Sequence, residues 1–333
     1  MKRSVPGIAA ASLSALALGG AILAAPMAQA ADYPARPVQI IVPYNAGGGT
    51  DLTARVLAKV LEKYLGGTVV VRNQPGGGGS IGTSAILHAK PDGYTIGTGS
   101  QGPLAMLPHY GGIDYSLKDA AFLALIGRNQ MALGVGKAAP FSDAKGFLAY
   151  AKAHPGELTV GNSGAGGANH IATEGFATAA GVKLKSMPFG GAIAAITACL
   201  GGHINAVVAH PAELINHVKA GSIKVVMVME DKRIAEFPDA PTAKEVGVDF
   251  TWAAWKGLVA PKGLPPEVEA KLTAALDKAM HDPEYVKKMA DMGENMDYRP
   301  AAQFKALAER DSEIAEKVIR SLGMYGMNVN KKK

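Results

Sequence analysis

The chain has 333 residues, 48% of them hydrophobic and 19% charged, with a single cysteine and a formal charge of +6. That length and apolar content support two compact domains with sizeable cores and exclude a disordered chain. One cysteine excludes an internal disulfide, and dispersed basic residues, clustered only in the terminal Lys331, Lys332 and Lys333, speak against nucleic-acid binding.

Lys2 and Arg3 precede an uncharged small-apolar stretch over 8–25, and Ala28-Gln29-Ala30 is an A-x-A cleavage signal. Residues 1–30 are therefore read as a secretory signal peptide cut after Ala30, and the mature protein as periplasmic. The stretch is short for a bilayer span and lacks an aromatic belt. Its removal takes two off the formal charge of +6. No later apolar run is long enough to span a membrane, so the mature protein is expected to be soluble.

The apolar spacing predicts a strand over 38–43, a helix over 52–65 with Leu52, Val56, Val60 and Leu61 on its apolar face, a strand over 68–72, a helix over 81–89 and a strand over 94–98. The order returns further on: strand 158–161, helix 169–180, strand 182–187, helix 192–200, strand 204–209. Strands alternating with helices imply mostly parallel sheets. Apolar runs over 122–136 and over 223–229 with 250–260 cross between the two halves. Helices over 265–280 and 301–322, with a break bounded by Pro283 and Pro300, are expected to pack back on the first half. The expected fold is α/β, with two similar lobes, a hinge and a central cleft. Residues 31–130 with 251–333 form lobe one, and 131–250 lobe two.

Each half carries a glycine-rich loop between a strand and a helix: Ala46, Gly47, Gly48, Gly49, Thr50, Asp51 in the first, Ser163, Gly164, Ala165, Gly166, Gly167 in the second. Such junctions aim unpaired amides and a helix dipole of about half a charge at whatever lies in front. Two of them facing one cleft would hold an anion. Asp51 is read as the N-cap of its helix, since its charge disfavours an adjacent anion. Trp255 is read as hinge core, and Lys256 as within reach of a ligand carboxylate in the closed form.

Other patterns carry less. Gly77-x-Gly79-x-x-Gly82 spells a dinucleotide fingerprint, but the acidic residue due about 20 positions on is missing. These glycines are read as a tight turn with close backbone approach, and no cofactor is expected. Gly161-x-Ser163-x-Ala165 lacks the last glycine of a nucleophile elbow, and His170 starts the next helix instead of serving as a base. The eight histidines show no metal-ligand spacing. Cys199, in an apolar stretch, is read as a buried, inert thiol.

Val42-Pro43-Tyr44-Asn45-Ala46-Gly47-Gly48-Gly49-Thr50-Asp51, Arg72-Asn73-Gln74-Pro75-Gly76-Gly77-Gly78-Gly79-Ser80-Ile81-Gly82, Lys90-Pro91-Asp92-Gly93-Tyr94-Thr95-Ile96, Pro241-Thr242-Ala243-Lys244-Glu245-Val246-Gly247 and Trp255-Lys256-Gly257-Leu258-Val259-Ala260-Pro261-Lys262-Gly263 resemble the solute receptors of tripartite tricarboxylate transporters, the Bug family. The resemblance implies a type II periplasmic-binding-protein fold, a monomer and no enzymatic activity. It implies a small carboxylate delivered to a two-component membrane permease. In similar proteins the two loops grip the carboxylate, which carries over to Tyr44, Ala46, Gly47, Gly48 and Thr50 in lobe one and to Ser163 and Gly166 in lobe two; Ser100, Gly167, Pro211, Trp255, Lys256 and the capping Asp51 are added as candidate residues lining the ligand site. Many relatives have a threonine where Gly167 stands and an aspartate after the strand that here runs into His210-Pro211-Ala212-Glu213. The missing aspartate argues against amino-acid ligands. A citrate-like di- or tricarboxylate is expected, with aromatic carboxylates, or presentation of the ligand to a sensor kinase, as alternatives.

Overall fold

The computed structural model describes residues 33–328 except Gly190 and Gly293, so the predicted signal peptide lies outside the described residues. The chain opens β1 (Val38–Val42), α1 (Gly49–Leu65), β2 (Val69–Asn73), α2 (Ser80–Leu87), β3 (Thr95–Ser100). A π-helical turn over Gly102–Met106 and α3 (Leu107–Tyr110) lead to β4 (Ala120–Gln130) and β5 (Ala132–Gly136). Then come α4 (Ala144–Ala153), β6 (Thr159–Asn162), α5 (Ala168–Ala180), β7 (Lys185–Pro188), α6 (Ala192–Leu200), β8 (Ala206–Ala209), α7 (Pro211–Lys219) and β9 (Ile223–Val228). The return is β10 (Ala253–Pro261), α8 (Pro266–Met280), α9 (Pro283–Asp291), β11 (Arg299–Pro300) and α10 (Ala301–Ser321).

The expected two-lobed α/β fold is what forms. Sheet one has the order β11-β4-β10-β3-β1-β2 and sheet two β7-β6-β8-β5-β9. Each contains a parallel trio, β2-β1-β3 or β7-β6-β8. Beside each trio lies one antiparallel strand arriving from the other lobe: β10 against β3, β5 against β8. The run over 122–136 is thus two strands in different sheets, joined at the fully buried Met131. The crossings pair there: the Met229 amide donates to Met131 O at 2.9 Å, and the Trp252 amide to Met229 O at 2.9 Å.

Parallel strands covered on both faces should be apolar throughout, and Val38, Ile40, Ile41 and Val42 are all buried. Helix α1 buries Ala54, Leu57, Leu61 and Leu65 against sheet one. Leu52, expected on that face, is exposed, and Val56 is only half-buried, because the stripe is rotated by about one position. The helix ends at Gly66, whose φ of 77 lets its amide return to Glu62 O. Lys185, not residue 182, begins β7, and α4, α7 and α9, the last lying inside the break expected between Pro283 and Pro300, were not anticipated.

Helix α10 departs most from expectation. Its first half, through Phe304, Leu307 and Ala308, packs on lobe one, but Ala315, Val318 and Ile319 belong to the core of lobe two. At 1.5 Å per residue it is a strut of about 30 Å that crosses the hinge. Cys199 is fully buried and burial pushes its thiol up to about 11, which keeps it protonated.

The glycine at position 82 marks a close approach. A Cβ there would stand 2.6 Å from Gln74 O and 2.7 Å from Pro43 Cα, both main-chain atoms that cannot swing away. Gly82→Ala is expected to lower the unfolding free energy by about 1–3 kcal/mol in urea titrations. Coincident midpoints for variant and parent would mean that the β1 and β2 ends yield freely.

Candidate functional site

A cavity of about 300 Å³ opens at the carboxyl ends of the lobe-one strands, where ligands collect in open α/β sheets. One row across sheet one builds its floor: Ser100 on β3 stands opposite Lys256 on β10, which stands opposite Gly127 on β4. Tyr44 at the end of β1, Gly49 and Thr50 at the start of α1, and Asn129 complete much of the wall. The Tyr44 hydroxyl lies 2.6 Å from Ser100 Oγ, and burial raises its pKa against the pull of that bond, so it stays protonated.

Lys256 is nearly buried, and its Nζ donates to Thr53 Oγ1 at 3.0 Å and pairs with the Glu294 carboxylate. Glu294 borders the cavity, and its second oxygen would stand 2.7 Å from a Cβ on Gly49. The bare backbone of Gly49 is what lets a carboxylate lie against the first turn of α1.

The first loop is built differently from the expectation. Gly48, not Asp51, is the N-cap of α1, and it caps with no side chain. Asp51, in the first turn and buried, accepts from the Gly47 amide at 2.8 Å and from Asn73 Nδ2 at 2.8 Å, and pairs with Arg55 at 3.0 Å. Burial would raise its pKa; the Arg55, Gly47 and Asn73 hydrogen bonds outweigh that and hold the carboxyl below its usual range. Asp51 is therefore the brace of the loop. The Gly47 amide is spent on it, and Ala46, Gly47 and Gly48 are exposed beyond the cavity wall.

Lobe two contributes nothing to this cavity: Ser163, Gly166, Gly167 and Pro211 are absent from its lining. The Gly166 amide donates to His170 Nδ1 at 2.8 Å and its carbonyl accepts from the Tyr110 hydroxyl at 2.7 Å, so both its polar groups are engaged. Burial lowers the His170 pKa, leaving a neutral ring that accepts from the loop. Gly167 is the N-cap of α5. Pro211 starts α7 beside His210, whose Nδ1 donates to Gln130 O at 2.9 Å at the crossing. Trp255 borders the cavity, but its indole N–H donates to Asp311 Oδ2 at 3.0 Å, within the core.

Sequence reasoning missed Thr53, Asn129 and Glu294. The polar triplet Arg128-Asn129-Gln130 interrupting an apolar run was the available signal for the second. Glu294, in the break after α9, carried none. Among the described residues no group of three His, Cys, Asp or Glu side chains is placed to hold a metal, and no helix is long and apolar enough to cross a membrane.

A family model described as tripartite tricarboxylate transporter family receptor matches residues 53–324. The chain is 35% identical over 319 residues to a Cupriavidus necator protein known as "UPF0065 protein in gbd 5'region", covering 96% of each chain. It superposes with a TM-score of 0.82 on a TctC solute binding protein from Polaromonas solved with no ligand, at 33% identity over 87% of this chain and 99% of that one. Two proteins of Rhodopseudomonas palustris are similar at 27% identity. MatC, with bound malate, gives a TM-score of 0.62 over 86% of this chain and 100% of that one. The other, with adipate, gives 0.64 over 88% and 99%.

Proposed function

The chain belongs to the tripartite tricarboxylate transporter family of receptors, and from that premise we propose that it captures a small di- or tricarboxylate in the cavity at the start of α1 and hands it to a membrane permease of that transporter class. At the coarser level it is a periplasmic solute-binding receptor, a class that binds its ligand without converting it.

The observation that carries the reading is chemical: Lys256, Thr50 and the first turn of α1 border one space, and the chain's own Glu294 carboxylate sits there. A space of about 300 Å³ is at the small end of ligand pockets and suits a compact solute. Malate and adipate, named with the two similar structures, are both dicarboxylates. Lys256 pairs with one carboxylate of the ligand, while Thr50, Asn129 and the Tyr44–Ser100 pair receive the rest. Closure of the hinge then brings Ser163 and the loop before Gly167 over the ligand. Gly47 and Gly166, their amides engaged, act by shaping the loops.

A ligand that binds only the folded state stabilises it by about 2.7 kcal/mol at a hundredfold excess over Kd. A thermal-shift panel of malate, adipate, citrate and benzoate is therefore expected to respond to the first three. A flat response throughout would retire the reading. Lys256→Met keeps the aliphatic stem and removes the charge; affinity for citrate is expected to drop about a hundredfold by calorimetry, in line with about 1.5–3 kcal/mol for a charge-assisted hydrogen bond. Unchanged affinity would move the anion seat elsewhere.

A further inference from the structure

The cavity places a negative side chain where a negative ligand has to bind. Glu294 pairs with Lys256 through one oxygen and lies against Gly49 of α1 with the other. Only 17% of its side chain and 11% of that of Lys256 remain exposed. Its main chain is held independently of this pairing. The Glu294 amide donates to Met289 O at 2.9 Å at the end of α9, and the Asn295 carbonyl accepts from the Arg128 amide of β4 at 3.2 Å. The main chain at 294–295 is thus anchored by contacts that do not involve the Glu294 side chain.

We propose that Glu294 is a built-in competitor for the carboxylate seat: it occupies Lys256 and the first turn of α1 in the empty receptor, and a ligand carboxylate has to displace it. The proposal rests on the carboxylate-receptor reading above and adds a specificity-determining residue to it. A largely buried ammonium left without a partner is unfavourable, and Glu294 supplies that partner until a ligand does. The same pairing sets a threshold. A ligand that offers only one carboxylate exchanges one ion pair for another and gains little, whereas a di- or tricarboxylate replaces Glu294 with one group and engages Thr50, Asn129 or the closing lobe with another. Glu294 thereby biases the receptor toward ligands with two or more carboxylates.

The test is calorimetric titration of the receptor and its Glu294→Gln variant with acetate, malate, adipate and citrate at constant ionic strength, repeated in the Lys256→Met background. Glutamine keeps the shape and removes the charge. The expected result is about tenfold tighter binding of malate, adipate or citrate by Glu294→Gln, equivalent to 1.4 kcal/mol. Acetate should become detectable, and the gain should vanish when Lys256 is methionine. Equal or weaker binding by Glu294→Gln, with the parent binding normally, would overturn the competitor role and leave the receptor reading standing. Absence of binding by parent and variant alike would remove the receptor reading and the competitor with it. Glu294→Ser, with circular dichroism and melting compared, replaces the first variant if that one does not fold, and the same outcomes apply.

Discussion

Asp311→Ala is expected to cost about 2–5 kcal/mol of folding stability, chiefly because it orphans two buried donors, while Arg310, 39% exposed, stays solvated. Asp311 is fully buried halfway along α10, between the residues that pack on lobe one and those that pack on lobe two. Its Oδ2 accepts from Gln101 Nε2 and from Trp255 Nε1, each at 3.0 Å, and its Oδ1 from Arg310 at 2.7 and 3.0 Å. Burial raises its pKa against the opposing pull of Arg310, Gln101 and Trp255. Alanine leaves the Trp255 N–H and one Gln101 proton buried with nothing to accept them, and unpaired buried donors cost about 1–3 kcal/mol each. Because Trp255 precedes Lys256 on β10, the damage should extend to the cavity floor. Equilibrium unfolding in urea measures the loss, and Asp311→Asn separates charge from shape. A loss below about 1 kcal/mol for alanine would show that α10 is held by its apolar stripe alone.

That brace also shows what the sequence could and could not reveal. Elements whose signals are local were legible: β1 as a β-branched run, Gly66 as the end of α1, and the two glycine loops as strand-to-helix junctions. Lys256 and Ser100 were marked as site residues, and the antiparallel register that puts them side by side follows from the chain returning from lobe two. What escaped depends on distant partners. Asp51 looks like a cap in its own loop, and the approach of Asn73 from β2, with Arg55 one turn along α1, turns it into an anchor for Gly47. Glu294 has no periodicity to betray it, and α9 and the Asn295–Arg128 contact carry it into the cavity. Helix α10 has a continuous apolar stripe, and a stripe says which face is buried but not that its two ends serve different cores.

The hinge carries a second expected effect, one that depends on pH. Along β4 successive side chains alternate between faces, so Gly127 and Asn129 border the cavity at the start of α1 while Arg128 and Gln130 border a separate space of about 530 Å³. There Arg128 Nη1 lies 3.0 Å from Glu230 Oε2 and 3.4 Å from Asp297 Oδ2, and Arg299 pairs with Asp297 at 3.0 Å. Glu230 follows directly on Met229, where the two crossings meet. Burial pushes its carboxyl up to about 7; Arg128 and Arg299 oppose the rise, and Asp231 and Asp297 add to it. Its Oε1 has no partner among the described residues. A carboxyl whose pKa is higher folded than unfolded holds its proton more tightly in the native state. Its contribution to stability is fully present below its ordinary value of 4.5 and lost as pH rises through about 7. Across that window the change amounts to about 3 kcal/mol at most. Glu230→Gln cannot titrate, so the stability of the variant relative to the parent, from urea unfolding at pH 5, 6, 7 and 8, is expected to climb by about 2–3 kcal/mol from the acid end to the alkaline end. Taking the difference cancels groups that titrate identically in both proteins. A difference that stays level across this range would place Glu230 in an environment wet enough to ionise freely, and the hinge pair with Arg128 would then be an ordinary solvated contact.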